Sequence, residues 1–254
     1  YPQGQHLQRR NRINHGRGMP SSLSFVLPAF NEEANIAESI RRGSAVLARL
    51  GSEGAIAEWE IVVVDDGSRD GTVAVARSVG EPRVRVVSHT DNRGYGAALR
   101  SGFDAARGDL IFFTDADLQF DVEELDRLVP HIADFDIVAG VRTPRQDPWV
   151  RRANAVAWAM ALYGAFGLDV QDVNCAFKLF RSEVLSGLEI SSDGAFVNAE
   201  ILLKSAHRGH TIKQVAVSHY ARPAGDQTGA DPKVVLRALR ELARFYRQRN
   251  AGAA

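Results

Sequence analysis

The 254-residue chain is poor in cysteine and in long apolar runs. Cys175 is its one cysteine, which excludes an internal disulfide and a cysteine-cluster metal site and makes a reducing cytoplasm the expected location. The longest nearly apolar stretch, residues 153–168, is shorter than the ~20 residues that a membrane-spanning helix needs. The opening residues contain no apolar stretch typical of a signal peptide. We therefore expect neither a signal peptide nor an integral membrane span.

The chain also lacks net charge, but its charges are unevenly distributed. Residues 1–20 carry a net charge of +4 and residues 232–254 carry +5, which leaves −9 on residues 21–231. An acidic body argues against a nucleic-acid groove across the core, whereas the basic ends can contact an anionic surface. We predict a disordered basic tail at 1–20 and a basic amphipathic helix within 232–254.

Short apolar segments alternate with helical ones along the first half of the chain. Strands are predicted at 23–27, 60–64, 84–88, 110–114 and 136–139, with helices at 32–50, from Thr72, at 97–107 and at 123–132. This alternation is typical of an α/β fold with a doubly wound, mostly parallel sheet. After residue 142 we predict loops at 144–148 and 220–233, helices at 150–166, 198–208 and 234–247, and strands at 173–180 and 211–217. Residues 21–231 are predicted to form a single domain.

The most informative motif follows the fourth predicted strand, where Asp115, Asp117 and Gln119 occupy alternate positions. A buried strand that ends in Asp-x-Asp places oxygen ligands at the carboxyl end of a sheet, where ligands of open α/β folds bind. Such oxygens suit Mg²⁺ or Mn²⁺ that also contacts substrate phosphates. The alternative is a pair of solvated loop acids.

Other strand ends carry similar features. Asn31 either caps a helix beginning at Glu32 or, with Pro28, lies in a turn that contacts a ligand. Asp65 and Asp66 close the second strand, where they either bind a base or ribose or form a solvated turn. The segment around Gly94 lacks the third glycine of a dinucleotide fingerprint, so its glycines are expected to allow close approach to a ligand at a helix start.

Several segments together resemble a known family. They are Val26-Leu27-Pro28-Ala29-Phe30-Asn31-Glu32, Val63-Val64-Asp65-Asp66-Gly67-Ser68, Asn92-Arg93-Gly94, Asp115-Ala116-Asp117-Leu118-Gln119 and Asp172-Val173-Asn174-Cys175-Ala176-Phe177-Lys178-Leu179-Phe180. In this order they resemble the family 2 glycosyltransferases of the GT-A fold, and within these the polyprenyl-phosphate branch that includes dolichol-phosphate mannose synthases. The resemblance implies a Rossmann-like sheet with a nucleotide-sugar half at 21–142 and a smaller acceptor half at 143–231.

The resemblance also implies site residues. Residues matching the nucleotide-sugar site are Pro28, Ala29, Asn31, Glu32, Asp65, Asp66, Gly94, Asp115 and Ala116. Those matching the metal site for Mg²⁺ or Mn²⁺ are Asp115, Asp117 and Gln119. Arg142 and Arg222 match arginines that contact phosphate, and Asp117, Arg142 and Asp172 are the predicted catalytic residues. The sequence departs from the family at Asn174-Cys175-Ala176 and in the 222–230 loop, which leaves the sugar and the acceptor open.

Three residues have competing interpretations. Asp172 is either a catalytic base or a turn acid. His219 is expected to pack in the interior. Glu200 either reaches the sugar site or lies on a solvated helix face.

The implied reaction is inverting transfer of a hexose from a nucleotide diphosphate sugar, of the GDP-mannose or UDP-glucose type. A hydroxyl acceptor needs a base, whereas a phosphate monoester, with a second pKa near ~6, is already ionised and needs arginines instead. Arg142, Arg222 and either Arg151 or Arg152 favour a dolichyl or undecaprenyl phosphate acceptor. The alternative acceptor is a hydroxyl of a glycan or small molecule.

The basic terminal helix and the apolar helix carrying Trp149, Trp158 and Tyr163 either contact a membrane surface or pack on the core. We predict a cytoplasmic protein that can lie on the inner face of the membrane. A signalling receiver module also groups acids at strand ends, but it needs a lysine at the end of the fifth strand, and residues 138–142 contain none.

Overall fold

A computed structural model describes residues 21–143, 149–224 and 232–251. The predicted basic tail and the 144–148 loop lie outside these residues, as do the side chains of Trp149, Arg151 and Arg152. Seven strands form one sheet: β1 (Ser22–Ala29), β2 (Glu58–Asp65), β3 (Val84–Ser88), β4 (Leu110–Thr114), β5 (Ile137–Arg142), β6 (Phe177–Arg181) and β7 (Ile212–Val217).

The described helices surround this sheet. They are α1 (Ile36–Ser52), α2 (Thr72–Ser78), α3 (Tyr95–Ala105), α4 (Leu125–Leu128), α5 (Trp149–Phe166), α6 (Ser182–Leu185), α7 (Val197–His207) and α8 (Pro232–Ala251). The alternation of strands and helices predicted for the first half is confirmed, and the fold is α/β.

The structure corrects three predicted elements. The first helix begins at Ile36 instead of Glu32, because the chain makes a turn in which Asn31 has a left-handed φ of 55°. The predicted 123–132 helix is one turn of α-helix, α4, flanked by 3₁₀ turns, the second of which contains Pro130 near its start. The sixth strand begins at Phe177 instead of residue 173, because residues 172–175 form a turn closed by a hydrogen bond from Cys175 N–H to Asp172 O (3.1 Å).

The strand order is β3-β2-β1-β4-β6-β5-β7. The chain moves outward in one direction from β1 through β2 to β3 and then returns to place β4 on the other side of β1. The crevice between the carboxyl ends of β1 and β4 is therefore the topological switch point, where open α/β sheets bind ligands. Among the described strands only β6 runs antiparallel, and it lies between β4 and β5.

Phenylalanine side chains fix the centre of the sheet. The rings of Phe25 and Phe112 lie 4.9 Å apart and those of Phe112 and Phe177 lie 4.8 Å apart, so β1, β4 and β6 are joined on one face. On the other face Phe113 stacks on Phe180 at 6.0 Å. Burial of these large rings stabilises the pairing of β6 with β4.

Helices α5 and α8 pack side by side. Trp158 of α5 and Phe245 of α8 both contact the ring of Phe196, at 6.2 and 5.9 Å between centroids. Leu242 and Phe245 of α8 therefore pack on the protein itself, as one of the two sequence interpretations expected. Within the part of the chain that the structure describes, every helix is too short or too polar to cross a bilayer.

Candidate active site

Two acids follow β4 at the switch point. Asp115 accepts a hydrogen bond from the Tyr95 hydroxyl at 2.8 Å, and Asp117 accepts one from the Gln119 N–H at 3.1 Å. Burial, together with repulsion from Asp117, raises the pKa of Asp115 to about 7. Burial also raises the pKa of Asp117, although the Gln119 N–H and the Arg222 guanidinium oppose this. The solvated-loop interpretation of this motif is therefore wrong.

Arg222 lies over these acids. Its Nη2 is 2.6 Å from Oε1 of Glu32 and its Nη1 is 3.6 Å from Oδ2 of Asp117. Its Nε donates to the carbonyl oxygen of Ala224 at 2.6 Å. We call Glu32, Asp115 and Asp117 the acidic rim. Arg222, predicted to contact phosphate, supplies the rim with a positive charge in this structure.

The turn after β1 joins the rim to the turn after β2. Asn31 does not cap α1; its Oδ1 accepts the Arg69 N–H at 2.9 Å and its own N–H donates to Ser68 Oγ at 2.9 Å. Glu32 is buried, its N–H donates to Thr72 Oγ1, and its Oε2 accepts from Asn35 Nδ2 at 2.8 Å. These bonds hold the two turns together beside the predicted nucleotide site.

The acids that end β2 are both buried, so they do not form a solvated turn. Asp66 accepts the N–H groups of Arg93 (2.9 Å) and Gly94 (2.8 Å), and its Oδ1 is 2.7 Å from His89 Nδ1. Asp65 accepts the Ser68 N–H at 3.3 Å. Asp66 thus fixes the loop before α3.

The glycines at the start of α3 allow close approach of the protein's own backbone. Gly94 has a φ of 99°, and a Cβ at this position would lie 2.5 Å from Asp193 O. A Cβ at Gly96 would lie 2.0 Å from Ser192 O. The 191–194 loop therefore packs directly on this helix start.

Glu200 holds that loop and is buried, so it does not lie on a solvated helix face. Its side chain is 0% exposed and accepts the N–H groups of Ser191 (2.9 Å) and Ser192 (2.8 Å), the Ser191 hydroxyl (2.8 Å) and Lys204 Nζ (2.7 Å). Burial alone would raise its pKa, but these hydrogen bonds lower the pKa to about 2. Glu200 is a buried carboxylate with an anchoring role.

Arg142 and Asp172 form a bidentate ion pair. Nε and Nη2 of Arg142 lie 2.7 and 2.8 Å from the two carboxylate oxygens of Asp172, whose side chain is 3% exposed. The Arg142 N–H also donates to Oδ2 of Asp172 at 3.2 Å. This pair joins the end of β5 to the turn before β6.

Lys178 was not predicted from the sequence as a site residue. This side chain is buried in β6, where Nζ donates to Val173 O (3.1 Å), to Asn198 Oδ1 (3.1 Å) and to Cys175 O. Burial lowers the pKa of Lys178 to about 8. A lysine within the otherwise apolar run 177–180 was the available signal.

The remaining candidates lie close to the crevice. Ala116 is buried and its carbonyl oxygen accepts from Ser39 Oγ, while Pro28 and Ala29 form the end of β1. The Gln119 amide nitrogen donates to Tyr220 O at 3.1 Å. His219 is buried with its ring 5.1 Å from that of Phe120, in agreement with the packing interpretation.

The rim suits a divalent cation by its chemistry. A nearby positive charge stabilises crowded carboxylates such as Asp115, whose pKa is raised to about 7, and Arg222 supplies part of that charge. In the described parts of the chain, no three histidine, cysteine, aspartate or glutamate side chains are arranged to hold a metal ion. A cation here would thus take one or two carboxylates and complete its shell from a phosphate-bearing ligand.

Solved structures with the same fold include two of glucosyl-3-phosphoglycerate synthase from Mycobacterium tuberculosis. One superposes with a TM-score of 0.64 at 27% identity, covering 86% of this chain and 79% of that chain. The other, a complex with Mn²⁺, UDP and glucosyl-3-phosphoglycerate, has a TM-score of 0.62 at 25% identity and covers 98% and 82%. These similarities confirm the predicted GT-A fold.

Sequence comparison gives the family. The model of the family described as glycosyl transferase family 2 matches residues 24–188. Undecaprenyl-phosphate 4-deoxy-4-formamido-L-arabinose transferase of Pseudomonas aeruginosa (strain LESB58) is 34% identical over 209 residues, which are 80% of this chain and 59% of that protein. The chain thus spans about three fifths of the length of this relative. With its acidic rim at the switch point and this match over most of the sheet, the chain belongs to glycosyl transferase family 2.

Proposed function

We propose that this chain is an inverting, metal-dependent glycosyltransferase. It moves a hexose from a nucleotide diphosphate sugar, of the GDP-mannose or UDP-glucose type, to a dolichyl or undecaprenyl phosphate. The observation that carries the proposal is the acidic rim at the switch point, where Glu32 and Asp117 are buried and Arg222 lies beside them. The undecaprenyl-phosphate transferase among the relatives supports the lipid acceptor, and the UDP complex among the structures supports a nucleotide donor.

The donor would lie across the turns after β1 and β2. In the proposal, Pro28, Ala29, Asn31 and Glu32 contact the base and ribose together with the acids ending β2. Asp65 is the better placed of these two acids, because Asp66 already accepts hydrogen bonds from the loop before α3. In the proposal, Gly94 acts indirectly, because it allows the loop before α3 to pack close to the donor site.

The rim would hold the diphosphate end of the donor. Asp115, Asp117 and Gln119 are the residues that would hold Mg²⁺ or Mn²⁺, and the bound ion would neutralise the departing diphosphate. Arg222 would exchange Glu32 for a phosphate oxygen, since a guanidinium binds either anion through paired N–H groups.

Arg142 would bind the acceptor phosphate. Asp172 holds its guanidinium by two hydrogen bonds, so the role proposed for Asp172 is to orient Arg142. An acceptor phosphate oxygen attacks the anomeric carbon while the bond from that carbon to the β-phosphate oxygen breaks, and the nucleoside diphosphate leaves. Because the acceptor is already ionised, this step needs no base. A hydroxyl acceptor would instead require Asp172 to leave Arg142 and accept a proton.

We further propose that the protein works on the cytoplasmic face of the membrane. On α5, Val156, Met160 and Tyr163 lie on one face and are 58–69% exposed. The outer face of neighbouring α8 exposes arginines 240, 244 and 247. Since both helices direct their inner faces toward Phe196, these outer faces suit an anionic bilayer.

The test of membrane binding is sedimentation with vesicles. Wild type should bind anionic vesicles and not zwitterionic ones, and Met160→Ser should weaken binding. Equal binding to both lipid types would refute the proposed attachment to an anionic membrane surface.

The test of catalysis is transfer of labelled sugar. Purified protein with Mn²⁺ is offered UDP-glucose or GDP-mannose and either undecaprenyl phosphate or hydroxyl acceptors, and the product is analysed for its anomeric configuration. We expect inverted product on the lipid phosphate. Asp117→Asn should abolish transfer, whereas Asp104→Asn, at an exposed acid of α3, should not change it. Transfer to hydroxyls alone, with loss of turnover in Asp172→Asn, would favour the alternative acceptor.

A further inference from the structure

A line of polar side chains extends from the acidic rim into the interior. The Tyr95 hydroxyl donates to Oδ1 of Asp115 at 2.8 Å. The side chain of Asn198 lies beside the Tyr95 hydroxyl, and its Oδ1 accepts a hydrogen bond from Lys178 Nζ at 3.1 Å. Asn198 and Lys178 are 5% and 1% exposed, so water does not substitute for these partners. The proposed chemistry uses Asp115 but does not explain the other three side chains.

The direction of each hydrogen bond in this line is determined by chemistry. A lysine ammonium only donates, so the amide oxygen of Asn198 must face Lys178. The amide nitrogen of Asn198 then faces the Tyr95 oxygen, and the one hydroxyl hydrogen of Tyr95 is directed at Asp115. The donors along this line all point the same way, from a positive charge toward a carboxylate, so their dipoles reinforce one another.

The same ammonium fixes the acceptor side. Lys178 also donates to the carbonyl oxygens of Val173 and Cys175, in the turn that begins at Asp172. That turn carries the carboxylate that holds Arg142. One buried cation is thus bonded to the supports of both the donor rim and the acceptor arginine.

We propose that Lys178, Asn198 and Tyr95 are positioning residues that hold the Asp115 carboxylate in one orientation toward the metal-bound diphosphate of the donor. The inference rests on the proposed function and deepens it. The hydroxyl occupies Oδ1, so the second oxygen is the one presented to a cation. Without the hydroxyl, Asp115 would be free to rotate beside Asp117, and binding would have to order it again.

Two substitutions separate positioning from simple structural support. Tyr95→Phe removes one hydroxyl and keeps the ring. Asn198→Asp keeps an acceptor for Lys178 but loses the donor to Tyr95, so the Tyr95 hydrogen turns away from Asp115 toward the new carboxylate. Asn198→Asp also adds a negative charge beside Lys178, so it should not unfold the protein. Tyr246→Phe is the matched control, because Tyr246 is 46% exposed on α8.

The experiment measures binding of Mn²⁺ with UDP to the full chain by calorimetry, alongside urea denaturation. We expect Tyr95→Phe and Asn198→Asp each to weaken binding about tenfold, the effect of losing one hydrogen bond to a charged group, while Tyr246→Phe binds like wild type. Binding within twofold of wild type in both variants, with wild-type denaturation curves, would overturn the inference alone. Failure of the wild-type protein to bind UDP, GDP or their Mn²⁺ complexes would overturn the proposed function and this inference with it.

Discussion

Replacing the buried Glu200 with glutamine should lower the stability of the folded protein. Its two carboxylate oxygens accept four hydrogen bonds from the 191–192 backbone, the Ser191 hydroxyl and Lys204. In Glu200→Gln one of these oxygens becomes an NH₂ group, which places a donor against a backbone N–H or the ammonium. The loop that Glu200 holds packs on Gly94 and Gly96, so loosening it also disturbs the helix start that carries Tyr95.

The size of the effect follows from the pKa of Glu200. A fall from 4.5 to about 2 corresponds to ~3 kcal/mol of preference for the ionised form in the folded state. The Lys204 side chain is 27% exposed and its share is screened by solvent, so we expect the substitution to cost about 2–3 kcal/mol. For a domain of this size that corresponds to a fall in Tm of about 5–10 °C.

The assay is urea denaturation of wild type and variant as a function of pH. Because the folded pKa lies below the unfolded one, the contribution of Glu200 is complete above its unfolded pKa of 4.5 and is lost as the pH falls toward about 2. The stability difference between the two proteins should therefore shrink between about pH 5 and pH 2. Glu189→Gln, at a nearby exposed acid, is the control. A difference below about 1 kcal/mol at pH 7, or one independent of pH, would refute this reasoning.

Three other substitutions or treatments test the packing and the rim. Gly96→Ala should cost about 1–3 kcal/mol in thermal denaturation, since its Cβ would lie 2.0 Å from Ser192 O, whereas Gly164→Ala, with open space around it, should be neutral or stabilising. Cys175 is buried with a pKa of about 12, so it should resist a thiol reagent at pH 8 until urea is added, and rapid labelling of the folded protein would contradict the structure. Arg222→Gln removes a positive charge from the rim, so the free protein should bind Mn²⁺ about fivefold more tightly. Binding is measured by electron paramagnetic resonance, and weaker binding in the variant would contradict this prediction.

The strands and the acidic rim were predictable because both leave local patterns. Strand 110–114 is an apolar run ended by Asp115, and the bounds found are those predicted. The reversed direction of β6 was not predictable, because strand direction depends on pairing partners distant in the sequence. The start of α1 was placed too early because Asn31 and Glu32 look like a helix start, whereas they bond across to the turn after β2.

Buried charges were the main features that sequence reasoning missed. Charged side chains are seldom fully buried, so Glu200 was assigned to a surface or to the sugar site and Lys178 was not considered. What distinguishes them is their partners: four donors for Glu200 and three oxygens for Lys178, supplied by loops that only the fold brings near. The pairing of Arg142 with Asp172 is of the same kind, since 30 residues separate them.

The reversal of β6 has a consequence for how independently the proposed donor and acceptor sites can vary. An antiparallel neighbour begins where β4 ends, so the pairing of Thr114 with Phe177 brings the amino end of β6 to the same edge as Asp115. The chain between β5 and β6 leaves this edge and returns to it, and its exit and re-entry are tied together by Arg142 and Asp172. We expect that the intervening segment can change in length or composition, and with it the proposed acceptor site, while the proposed nucleotide site keeps its shape.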